Sequence, residues 1–204
     1  MKYPSFFDTI ETIKLKDNLS DFLGTFEEGI VEFSYLDIVK SAGHSCPTVA
    51  GAYIMTLVGL KELYKNEIPI RGEVHISFKE DGISGVSGVI SNVITQITGA
   101  THENGFKGLN GKFKRDNLIS YNDTIYSDIK FTRLDNNDSV ELIYDTSSLN
   151  DNSLMSQLMQ KLMQGKATQE EKIKFGTLWQ QKVETIFLNI DKVIKLKTLK
   201  ITSL

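Results

Sequence analysis

Residues 43–60 read GHSCPTVAGAYIMTLVGL. From Pro47 to Leu60 there is no charged side chain, and Lys61 is the first to appear. Apolar and small residues fall on every side of a 3.6-residue period, so the segment is expected to form a helix buried all round. Pro47 suits the first helical position, which makes Cys46 the N-cap, and Gly43 is a natural stop for a preceding helix over SYLDIVKSAG. Thr48, Ala50, Gly51 and Ala52 crowd the first turns, so another helix or a ligand must approach closely there.

Working outward, Phe6, Phe7, Ile10 and Ile13 lie at helical spacing near the start of the chain. After the buried helix, RGEVHISFKE alternates as a half-buried strand, with Val74, Ile76 and Phe78 on one face and His75 on the other, facing solvent. SGVSGVISNVITQITGAT carries an apolar stripe closed by Gly99, which predicts a second buried helix. A glycine-rich loop, ENGFKGLNG, precedes expected strands at 111–121, 125–134 and 138–145, divided by Asn/Asp turns. From Ser147 the pattern changes to two amphipathic helices separated by Gly165, the second opened by a Thr168/Glu171 capping box. The expected architecture is α+β: a mixed or antiparallel sheet packed on buried helices, with a C-terminal helical pair. The expected divisions are a main domain over 1–146, a helical hairpin over 147–190 and a basic tail over 191–204. Lys192, Lys195, Lys197 and Lys200 punctuate that tail, which reads as solvated chain or an edge strand.

Of the 204 residues 40% are hydrophobic and 24% charged, enough apolar content for one sizeable core. A net charge of −3 offers no field for a polyanion, so nucleic acid is not an expected partner. No apolar run reaches the roughly 18 residues that span a bilayer. MKYPSFFDTIETIK carries acids where a signal peptide would be basic and then apolar, and the one cysteine suits a reducing compartment. A cytoplasmic location is expected.

His44 and Cys46 are the chemical candidates. In turn or extended backbone, side chains two apart point to one side, and a thiol at a helix N-terminus is placed for nucleophilic or metal-ligand chemistry. The bland alternative is a packed cysteine beside a satisfied histidine. His102, in TGATHENGF, follows the second buried helix and would meet the His44 loop if the two helices pack side by side. There is no P-loop, no dinucleotide glycine fingerprint after a strand and no G-x-S-x-G elbow.

AGHSCPTVAGAY resembles the G-H-x-C-P-G signature of the FmdE-like family, named after a component of formylmethanofuran dehydrogenase. GVSGVISNVITQITGAT resembles that family's helix ending in T-G-x-T, and KGLNGKFKRDNLISY its glycine-rich hairpin. Together these cover roughly residues 30–125. The resemblance implies an α+β domain, commonly a homodimer, with a metal site, often zinc, at His44 and Cys46. Thr48 stands where the signature has glycine, Ala100 where many relatives have cysteine, and the Cys-rich zinc ribbon of some members is absent. The third ligand is therefore open, with His102 or Glu103 as candidates. Zinc or another divalent transition metal is the expected cofactor, with or without a small-molecule ligand and catalysis. The alternatives are haem held through the His/Cys-Pro site, with the small-residue helix as a flat wall, and an accessory subunit of a redox enzyme. For the last, Met155, Met159, Met163 and Trp179 offer a docking stripe.

Overall fold

Pro47 opens the central helix of the protein, and the rest of the chain is arranged to cover it. The computed structural model describes residues 1–150 and 152–199; Lys200 of the basic tail lies outside them. Strands β1 (Ile13–Lys16) and β2 (Ile30–Phe33) pair antiparallel around a short helix α1 (Asn18–Phe22). Helix α2 (Tyr35–Ala42) is opened by a Ser34/Asp37 capping box and closed by Gly43 at φ +78°. Helix α3 (Pro47–Tyr64) follows, with thirteen of its eighteen residues buried. Next come β3 (Val74–Phe78) and helix α4 (Ser87–Thr98), which Gly99 closes at φ +74°. Then come β4 (Ile119–Ser120), β5 (Ile129–Arg133), β6 (Ser139–Tyr144), α5 (Ser153–Met163), α6 (Gln169–Phe187), the short α7 (Ile190–Val193) and β7 (Ile194–Leu199).

The main sheet has the order β4-β3-β5-β6-β7, parallel between β3 and β4 and antiparallel elsewhere. This is an α+β fold with a mixed sheet. Val74, Ile76, Phe78, Phe131, Val140 and Leu142 form its buried face. Helix α3 lies against β5 and β6 and is flanked by α2, α4 and α6. An apolar helix with so many neighbours has no side left for water, which is what its composition requires.

The close approach foreseen at the small residues is made by protein. Gly51 faces the Tyr144 ring at the end of β6, and a Cβ on it would lie 2.4 Å from the nearest ring atom. Ala50 and Ala52 are fully buried as well. The second buried helix, its glycine stop, the helical pair and the Thr168/Glu171 capping box are all present.

Three local expectations change. Phe6 and Phe7 sit in one 3-10 turn (Ser5–Thr9), and Ile13 begins a strand, because Leu15 and Ile13 alternate into the core as soon as β2 is available to pair. The expected strand at 111–121 shrinks to Ile119–Ser120. Left-handed backbone at Gly111 (φ +79°), Phe113 (φ +62°) and Asn117 (φ +56°) repeatedly breaks an extended path. His75 is half-buried on the outer sheet face, and burial pushes its pKa down against the opposing pull of Asp123. Residues 194–199 of the basic tail form the edge strand β7, where Lys195 pairs with Asp145 at 3.3 Å.

One buried polar knot ties the first sheet to the second. Asp17 caps α1 through Leu19 N–H (3.0 Å) and Ser20 N–H (3.2 Å), and accepts from Arg71 Nη1 (3.0 Å) and Arg115 Nη2 (2.7 Å). Arg71 also donates to the carbonyls of Gln96 and Ile97 at the end of α4 (3.0 Å each). Burial alone would raise the Asp17 pKa; the Arg71 hydrogen bond, the Arg115 charge and the capping N–H bonds outweigh it and hold the carboxyl below its ordinary value.

Two outcomes follow from this packing. Asp17→Asn strands two guanidinium groups and is expected to cost about 3 kcal/mol in urea unfolding. Because the folded pKa is depressed, Asp17 stabilises fully above its unfolded pKa of about 3.9. That contribution is lost as pH falls through the lower folded value, so the wild type should lose stability faster than Asp17→Asn over that acid range. Gly51→Ala should destabilise by about 1–2 kcal/mol, outweighing a helix-propensity gain of at most about 1 kcal/mol. The penalty should vanish in a Tyr144→Ala background, and its persistence there would show that the ring is not the cause.

Candidate functional site

The turn between α2 and α3 is set by its own residues. Gly43 takes the left-handed conformation that ends α2, and Cys46 is extended at φ −149°, ψ 168° to cap α3. Cys46 Sγ accepts the Val49 N–H at 3.4 Å and is half-buried. The sulfur therefore sits at the positive end of an eighteen-residue helix. His44 is exposed, and its Nδ1 lies 3.0 Å from the Ala42 carbonyl. A carbonyl can only accept, so Nδ1 carries the proton and, in the neutral ring, Nε2 presents a free lone pair. That is the tautomer a metal-binding or proton-accepting histidine uses.

Ser45, between them, is 8% exposed and held from three directions. Its hydroxyl pairs with Tyr35 OH at 2.9 Å. Its carbonyl accepts Trp179 Nε1–H at 2.9 Å and Gln180 Nε2–H at 3.4 Å, both from α6. Gln180 Oε1 is buried with no partner. Tyr144 OH donates to the Pro47 carbonyl at 2.8 Å, bracing the first turn of α3 from the sheet. Burial first, then the charge of Cys46, holds the Tyr144 phenol far above its ordinary pKa. Burial does the same to Tyr35, opposed by its Ser45 hydrogen bond. Both phenols stay neutral throughout the physiological range, and Tyr144 serves as a fixed donor to the Pro47 carbonyl.

The loop thus presents one imidazole nitrogen and one sulfur on a backbone that cannot drift. His102 is placed elsewhere: its ring lies 5.4 Å from that of Tyr121, and its carbonyl accepts Asn117 N–H at 2.8 Å. Among the described residues no group of three or more His, Cys, Asp or Glu side chains is placed to hold one ion, so His44, Cys46 and His102 are not brought together. Two donors on one loop fit part of a zinc shell and not a closed one. Ala100 is fully buried. At Gly51 the small-residue face of α3 is packed against the Tyr144 ring.

Tyr35, Tyr144 and Gln180 did not stand out in the sequence, and Trp179 did so only as part of a docking stripe, not as a support of this loop. The only signal was that Trp179 is the single tryptophan, and its indole N–H needs a partner when buried. The methionine stripe is divided: Met155 is buried, Met159 half-buried and Met163 81% exposed, while Trp179 turns to the chain's own loop. Among the described residues no helix is long and apolar enough to cross a membrane.

No curated protein matches the chain. A family model described as FmdE, molybdenum formylmethanofuran dehydrogenase operon, matches residues 42–194, a span that opens at the α2–α3 turn and runs through the sheet and the helical pair. With the match covering well over half of its length, the chain belongs to the FmdE family.

Proposed function

We propose that the protein is an accessory metal-binding member of its family, in which His44 Nε2 and Cys46 Sγ supply two ligands to a divalent transition metal ion, zinc first. The observation that carries this reading is the Nδ1–H···O=C bond to Ala42, which leaves Nε2 free two residues before a half-buried sulfur. The orienting bond is of the kind that backs metal-ligating histidines. The remaining ligands come from outside the chain, either a second copy in a homodimer or a small molecule. Two copies would bring two imidazoles and two thiolates, a complete zinc set. A small molecule at an open position would instead be polarised by the ion, the chemistry zinc supplies in catalytic sites.

The chain's own part is positional. Trp179 and Gln180 fix the Ser45 carbonyl, Tyr35 fixes its hydroxyl, and the two ligand side chains leave on either side of that pinned residue.

Elemental analysis and an absorption spectrum of the purified protein, beside Cys46→Ser and His44→Ala, test the reading. One zinc per two chains indicates a shared site and one per chain an open one, with the metal lost in both variants. Wild-type protein that takes up no metal on zinc reconstitution, or that shows a Soret band, would overturn it. Trp179→Phe should weaken zinc binding by about ten-fold, corresponding to one hydrogen bond of about 1.4 kcal/mol. Backbone amide exchange at residues 44–46 should rise in parallel while exchange in the β3–β5 ladder stays unchanged; equal acceleration in both places would mark Trp179 as simple packing.

A further inference from the structure

Residues 105–115, GFKGLNGKFKR, hold four cations and no acid in a chain whose net charge is −3. The structure folds this segment over a cavity of about 530 Å³, within the usual range for small-molecule sites. No residue of the 43–46 loop lines it. Lys112, Lys114, Arg71 and Arg115 all do, together with Phe113 and Leu19.

Arg115 is 7% exposed, and its Nη2 is committed to Asp17. Its Nη1 is buried without a partner between Gly72 and Gly99, where a Cβ on either glycine would come within 2.5 Å. Asp17 is shared between two guanidinium groups beneath the cavity, with Glu73 as the second carboxylate acting on Arg115. Burial first, then the Arg71 charge, lowers the Arg115 pKa against the pull of Asp17 and Glu73.

The acids on the lining are Glu73 and Asp116. Glu73 accepts a long bond from Asn18 at 3.4 Å, and Asp116 stands 3.7 Å from Lys114. Lys112 has no carboxylate partner among the described residues, and cations outnumber acids around the space even when Asp17 is included. Phe113, at φ +62°, holds a backbone conformation that is costly for a bulky residue, and such strain concentrates at ligand clamps.

We propose that this cavity binds a small, multiply charged organic anion, phosphorylated or polycarboxylic, with its charged end against Lys112, Lys114 and Arg71 and its body on Phe113 and Leu19. The site is independent of His44 and Cys46 and goes beyond the metal reading. The anion's charge meets the unpaired Lys112 and the surplus of cations on the lining, and the lysines hold it as point charges.

The test is a two-dimensional amide NMR titration of the full chain at near-physiological salt, with inorganic pyrophosphate in one arm and citrate in the other. Saturable shifts are expected at residues 71–73 and 111–117 with at least one probe. The apparent Kd should rise about ten-fold or more in Lys112→Ala/Lys114→Ala, roughly the loss of one charge-assisted bond, and stay unchanged in Cys46→Ser. A response to pyrophosphate alone assigns a phosphoryl head, and a response to citrate alone a polycarboxylate. Failure of both probes to saturate, or saturation that the double variant leaves intact, would overturn the proposal and reduce the segment to a solvated basic hairpin.

Discussion

Helix α3 carries no charged side chain from Pro47 to Leu60, and that single constraint organises the protein. A helix with thirteen of its eighteen residues buried needs a sheet below it and helices around it. The chain supplies β5 and β6 from its middle, α2 and α4 from either side in sequence, and α6 from its C-terminal third. Because each neighbour is closely packed, the N-terminus of α3 has one position, and so does the loop that leads into it. The placing of His44 and Cys46 is a by-product of burying their neighbours.

Features written in adjacent residues were legible in the sequence. Gly43, Cys46 and Pro47 mark a helix end and a helix start by stereochemistry that does not depend on the rest of the chain, and the structure has both where the residues put them. The same holds for Gly99 and for the Thr168/Glu171 box. Strands were less legible because their existence depends on a partner. Ile13–Lys16 reads as the end of a helix until Ile30–Phe33 is laid beside it. Residues 111–118 are expected in a strand, yet Gly111, Phe113 and Asn117 take left-handed backbone that no ladder accepts.

The candidate site divides in the same way. Its two reactive side chains sit in a local motif and were found by spacing. The residues that give them direction lie on α2, β6 and α6, and nothing near His44 announces them. The hydrogen bonds at Ser45 and Pro47 connect positions roughly a hundred residues or more apart, apart from the local contact to Tyr35. The Asp17 knot is similar: an ordinary acid at the end of a short strand becomes the hinge pin of the molecule because two arginines from later segments converge on it.

The bond from Trp179 to Ser45 spans 134 positions in the chain, and it bears on synthesis. A ribosome releases the loop, the buried helix and the first four strands of the main sheet long before α6 exists. During that interval β6 offers an open edge to any passing strand, α3 lacks one of its covers, and the cysteine is not yet restrained. Contacts of such length are slow to form, and α6 must come back to α3 from far along the chain. The nascent protein therefore acquires its site last, in the same step that removes its most exposed hydrophobic surface. A polypeptide truncated before α6 would hold every candidate ligand and none of the clamp.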